Sequence, residues 1–124
     1  MFDEVLSINP KDWEVLFYKG LSYKFLRIYD EAITCFQLSN AIHKHENTFI
    51  ELGRMYQIKQ EYQTAIDVYA EGLDFSPDNS EIMTTIGLLY IRTGDNIQAF
   101  DYLGKSLDHD PRNPKTILAT GSII

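Results

Sequence analysis

The sequence predicts an all-α fold in which helix-turn-helix units stack as a right-handed superhelical solenoid. Three observations predict it. Small and aromatic residues recur in fixed order with a period of 33 to 34 residues, large side chains fall three or four apart between them, and short polar turns separate segments of helix length. The stretch from Glu46 to Pro77 is one whole unit, in which Gly53, Tyr56, Ala65 and Tyr69 mark two helices and Pro77 closes the pair. Shifted forward by 34 it meets Gly87, Tyr90, Ala99, Leu103 and Pro111; shifted back by 33 it meets Gly20, Tyr23, Ala32 and Phe36.

That period, with small, aromatic, small and aromatic positions in order, is the tetratricopeptide repeat (TPR) signature. The spacing has a physical cause. A glycine on the first helix of each unit (Gly20, Gly53, Gly87) and an alanine on the second (Ala32, Ala65, Ala99) let two backbones approach where they cross. The tyrosine after each glycine and the large residue four after each alanine then fill the wedge on either side, because residues three or four apart share a helix face. Ser39, Gly72 and Ser106, three further on, leave room for the next unit's first helix.

The chain is expected to be one TPR array over residues 1–124: the end of a preceding repeat at 1–10, repeats at 11–45, 46–79 and 80–113, and the first helix of another at 114–124. FDEVLSINP (Phe2 to Pro10) matches YAEGLDFSP and LGKSLDHDP, so the chain opens within a second helix. The first full unit is predicted to be helical over about Trp13 to Leu26, capped by Asp12 with Glu14 in its first turn, and over about Tyr29 to Ala41. Its closing HKHEN is one residue short, with Lys44 where other units have proline. The second unit is predicted at about Glu46 to Lys59 and Glu61 to Phe75, the third at about Ser80 to Arg92 and Asn96 to Asp108, with Gly94 as a left-handed cap. Pro114 suits the start of a further helix, and Gly121 stands 34 after Gly87. An array cut at both ends lacks polar end units, so self-association through those ends is expected in concentrated solution.

Composition narrows the function classes. With 44% hydrophobic and 23% charged residues the chain reads as a globular domain. A net charge of −7 disfavours nucleic acid or an anionic membrane as partner. One cysteine, no Asn-x-Ser/Thr sequon and no run of about 20 apolar residues make a cytoplasmic protein, without membrane insertion, the expectation. His43 and His45 are two apart, which is not the i, i+4 pairing of a zinc helix, and they read as a solvated turn; His109 reads as a polar loop residue and Cys35 as a buried inert thiol. No nucleophile elbow, phosphate loop or nucleophile-base pair is present, so no enzyme, cofactor or metal is expected.

The inner face of the array is the candidate site. Counting each glycine as position eight, positions two, five, nine and twelve of the first helices give Glu14, Phe17, Leu21 and Lys24, then Asn47, Ile50, Arg54 and Gln57, then Glu81, Thr84, Leu88 and Ile91, then Lys115, Leu118 and Ser122. A clamp for a C-terminal carboxylate needs Lys and Asn or Arg where Phe17, Leu21, Thr84 and Leu88 stand, and an asparagine ladder fails at Tyr18, Glu51 and Thr85. What remains is an apolar groove for a partner segment, with Arg54 either a carboxylate anchor or a local ion-pair partner for Glu51 or Glu14.

KDWE (Lys11 to Glu14), AIDVYAEGLDFSPDN (Ala65 to Asn79), TTIGLLY (Thr84 to Tyr90) and AFDYLGKSLDHDPRNPKTILATGS (Ala99 to Ser122) resemble the TPR region of the Bardet-Biedl syndrome protein four family. FYKGLSYKFLRIYDEAITCFQLSN (Phe17 to Asn40) departs most from it. The resemblance implies a non-enzymatic subunit of the BBSome, the coat-like complex of ciliary membrane-protein trafficking. It also implies an association with cilia, basal bodies, centriolar satellites and dynein-dynactin transport on the cytoskeleton. Other BBSome subunits and trafficking or satellite proteins are then the expected partners. A generic TPR adaptor binding a short apolar or acidic peptide is the alternative.

Overall fold

A computed structural model describes residues 12–114 and 116–118, and every regular element among them is helical. The order is α1 (Asp12–Phe25), α2 (Tyr29–Ile42), α3 (Glu46–Ile58), α4 (Tyr62–Phe75), α5 (Ser80–Thr93) and α6 (Asn96–His109), with residues 116–118 again helical. Expected boundaries hold to within one residue. The expected half-unit at 1–10, together with Lys115, Gly121 and Ser122, lies outside the described residues.

The helices begin and end by a device repeated in each unit. Position 79 carries Asn79, whose side chain accepts from the Ile82 N–H at 2.9 Å. Its counterparts do the same: His45 Nδ1 accepts from Asn47 N–H at 3.2 Å, and Asn113 Oδ1 from Thr116 N–H at 3.4 Å. Within the third unit Asp95 caps α6 through Gln98 N–H at 3.1 Å. Each supplies a partner for a helix-start donor that has no carbonyl of its own.

The turns inside the units are closed alike. Arg27 (φ 62°), Gln60 (φ 64°) and Gly94 (φ 90°) occupy one repeat position, and all are left-handed. The following N–H reaches back five residues each time: Ile28 to Tyr23 O at 2.9 Å, Glu61 to Tyr56 O at 2.9 Å and Asp95 to Tyr90 O at 2.9 Å. This is the Schellman closure, and it explains why Leu26 and Lys59, expected inside helices, lie in the turn instead. Two of the three turns place a side chain where only glycine is free of strain.

The chain forms two compact units, Met1–Glu61 and Tyr62–Ile124. In the first, α1 packs on α2 and α2 on α3 around Leu16, Ala32, Phe36, Phe49, Leu52 and Met55. At Gly20 the close contact is made by a ring and not by Ala32: a Cβ built there would stand 2.7 Å from Phe36 Cε1. In the second, α4 packs on α5 and α5 on α6 around Tyr69, Ile82, Ile86, Leu89, Ala99 and Leu103. There a Cβ on Gly87 would stand 2.8 Å from Leu103 Cδ2 and 3.4 Å from the Ala99 carbonyl. Ala65 on α4 and Gly53 on α3 are likewise buried.

Ser39 and Ser106 do more than leave room. Both are fully buried, and each donates back to the start of its own unit's first helix: Ser39 Oγ to Trp13 O at 2.7 Å and Ser106 Oγ to Ser80 O at 3.0 Å. The bond fixes the hairpin's register as well as its spacing.

Candidate protein-interaction site

On the first unit, helical spacing puts Phe17, Leu21 and Lys24 on one stripe of α1, and Ile50, Arg54 and Gln57 on the matching stripe of α3. All are partly accessible, Arg54 the most. Glu51 ties the two helices together: Lys24 Nζ donates to its Oε1 at 2.9 Å, and Arg54 Nη1 to its Oε2 at 3.5 Å. One carboxylate therefore holds two cations and leaves the trio with a net positive charge. Arg54 is the local ion-pair partner of Glu51, one of its two expected roles. Its side chain is half exposed, at 50%, and the guanidinium contact is long, so exchange with an incoming carboxylate costs little.

The apolar part of the face is seated on an aromatic group. Phe17 lies 5.7 Å from Phe36 and 6.5 Å from His45, centroid to centroid, and Trp13 stacks on His45 at 5.3 Å and meets His43 at 4.9 Å. The two histidines lie in the turn expected of them, His43 exposed, and in addition pack on Trp13; His45 is also the cap of α3. Sequence reading missed this because Trp13 is 30 and 32 residues away in the chain.

On the second unit the expected positions are Thr84, Leu88 and Ile91 of α5. Leu88 is exposed and Ile91 half-buried. Thr84 is a correction: only 3% exposed, it does not line an open face. Its Oγ1 lies 2.6 Å from Ser106 Oγ and 2.6 Å from Thr116 Oγ1, and donates to Ser80 O at 3.0 Å. Next to it, Ser106 and Thr116 hydroxyls are 3.2 Å apart. The helix that begins at Pro114 covers the position through Thr116, which a repeat count alone does not reveal. Leu118, at the same repeat position as Thr84, is exposed.

The pKa of Lys59 is raised by its hydrogen bond to Asp30, and burial beside Tyr102, Asp95 and Asp67 raises that of Tyr90. Both shifts belong to helix packing rather than to acid-base chemistry. Cys35 is buried, and among the described residues no group of three or more His, Cys, Asp or Glu is arranged to hold a metal. No described helix is long and apolar enough to cross a membrane.

Comparison with known proteins adds the lineage. A tetratricopeptide repeat family model matches residues 80–113. BBSome complex member BBS4 of Bos taurus is 40% identical over the whole of this chain, and that of Mus musculus 36%. The chain is a TPR segment of the BBS4 family. It spans about a quarter, 24%, of the length of these two relatives. Among solved structures, the first TPR of Spaghetti (RPAP3), bound to an HSP90 peptide, superposes with a TM-score of 0.83 over 94% of this chain and 93% of its own. At 16% identity that likeness establishes the shared TPR fold and nothing further.

Proposed function

We propose that this segment is part of a non-enzymatic protein-interaction scaffold, a BBSome subunit acting in ciliary membrane-protein trafficking, and that residues 1–124 form a single TPR array within it. The observation that carries the reading is the α1–α3 face of the first unit. There Phe17, Leu21 and Ile50 offer apolar area beside the Lys24–Glu51–Arg54 clip, which suits a partner segment with apolar side chains and one carboxylate. Relationship to BBSome members supports other subunits of that complex, or trafficking and centriolar-satellite proteins, as the partners, and the cilium and basal body as the place. Leu88 and Ile91 of α5 would contribute on the second unit.

The second reading, a TPR adaptor capturing a short free peptide, draws on the same face. It is less favoured, because the peptide-carboxylate clamp needs polar groups at positions held here by Phe17, Leu21, Thr84 and Leu88. The test is co-purification from ciliated cells of the full-length protein carrying Phe17→Glu, Arg54→Glu or Leu88→Glu. Loss of the assembled complex supports the scaffold. Intact assembly with loss of one free ligand supports the adaptor, and unchanged partners with all three variants overturn both.

A further inference from the structure

The second unit carries an open, solvent-facing cavity of about 350 Å³ between the C-terminal turns of α4 and α6. Met83, Leu73 and Pro77 supply its apolar wall, Asp74 and Asp108 its carboxylates, and Lys105 and His109 its basic groups, His109 being the last residue of α6 and not the loop residue expected. Such a volume lies in the range of small ligand sites. The charges around it are placed against the usual preference. Asp74 falls in the last turn of α4, which has no basic residue there, and Asp108 in the last turn of α6, which it shares with His109. A carboxylate at that helix end faces the negative pole of the dipole, where a cation is the favourable neighbour.

No ion pair or hydrogen bond reaches either carboxylate among the described residues. Lys105 also lines the cavity but is engaged elsewhere. Its ammonium pairs with Asp101 at 3.2 Å and lies 5.0 Å over the Tyr102 ring. The feature belongs to this repeat and not to the pattern, for the first repeat has Ala41 and Lys44 where this one has Asp74 and Pro77.

We propose that this cavity receives an arginine or lysine side chain from a basic segment of a partner protein. Its aliphatic stem lies along Leu73, Pro77 and Met83, and its charged head meets Asp74 and Asp108 in charge-assisted hydrogen bonds. The occupant is cationic by charge complementarity, and it is a side chain because the wall is apolar. This surface extends the scaffold reading to a second partner contact. It shares no residue with the α1–α3 face, so either can fail without the other.

The chain has three methionines, Met1, Met55 and Met83, and only Met83 lines the cavity, while Met55 is buried in the first unit. Methionine methyl NMR of the ¹³C-labelled chain therefore reports occupancy directly. The probe is acetyl-Arg-Leu-Arg-amide, set against the same peptide with citrulline, which keeps the shape and loses the charge. Expected is a saturable shift of the Met83 methyl with the arginine peptide, at least tenfold weaker with citrulline and in Asp74→Asn/Asp108→Asn, with Met55 unmoved. Both aspartates are exposed, so the double variant keeps its fold, and an unshifted Met55 signal verifies this. No Met83 shift, an equal shift with citrulline, or a shift that survives the double variant would each overturn the proposal. So would a Met83 shift on concentrating the chain alone, which would identify the occupant as a second copy.

Discussion

The two units solve one packing problem with opposite chemistry. At the position filled by Phe17 in the first unit, ring packing joins α1, α2 and the start of α3, through Phe36 and His45. At the corresponding Thr84 of the second unit, three buried hydroxyls and the Ser80 carbonyl make the joint instead. The difference leaves a mark. Thr48 is the counterpart of Thr116; it is fully buried, and its Oγ1 has no hydrogen-bond partner among the described residues. Phe17 stands where the partner hydroxyl would be. A repeat thus constrains backbone geometry tightly and leaves the chemistry of each joint free, here even to the point of leaving one buried hydroxyl unmatched.

The largest effect expected from this comparison is at the glycines. Gly20→Ala drives a methyl into the rigid Phe36 ring and should cost about 3 kcal/mol, whereas Gly87→Ala meets the smaller, though fully buried, Leu103 side chain and should cost about 2 kcal/mol. Urea melts of the two variants check the order, and equal losses would show that the aromatic joint is no stiffer than the aliphatic one.

Next come the joint hydroxyls. Thr84→Val strands partners in a buried network and should destabilise by about 2 kcal/mol, while Thr48→Val removes an unmatched hydroxyl and should stabilise by about 1 kcal/mol. The opposite signs are the test, again by chemical denaturation; a loss at Thr48 would mean that its hydroxyl is already satisfied by water.

The turns should give a smaller effect of the same kind. Gln60→Gly and Arg27→Gly relieve a left-handed side chain and should each add about 1 kcal/mol, and Gly94→Ala should remove a similar amount. Thermal melts suffice to see it.

The smallest effect is at high pH, where both units respond in the same direction. Lys59 holds its proton more tightly when folded, so the Asp30 contact contributes below the unfolded pKa and fades as pH rises through the folded one. Tyr90 is likewise harder to ionise when folded, so its deprotonation also opposes the fold. The melting temperature should fall above about pH 10, and less steeply in Tyr90→Phe and in Lys59→Met. An unchanged slope in both would remove these groups as the cause.

Much of the fold was legible along the chain. Gly20 with Ala32 and Gly87 with Ala99 announce helix crossings, because close approach admits few side chains. Gly94 announces a helix end, because left-handed backbone also selects residue type; the Asn79 cap was not read from the chain. The face of α1 was legible from its stripe, Phe17, Leu21 and Lys24. Its electrostatic clip was half legible: Glu51 was in view as a partner for Arg54, but Lys24 reaches the same carboxylate across 27 residues.

By itself, then, the sequence determined the all-helical repeat, its period and the ends of each helix, since these depend on local hydrogen bonding and on whether a side chain fits at a crossing. Only the tertiary structure decided that Thr84 is sealed and not open, that Trp13 lies on two histidines, that Arg27 and Gln60 take glycine's conformation, and that Asp74 and Asp108 border one cavity. Those outcomes depend on which distant groups come within a few ångströms of one another, and such distances follow from packing rather than from spacing along the chain.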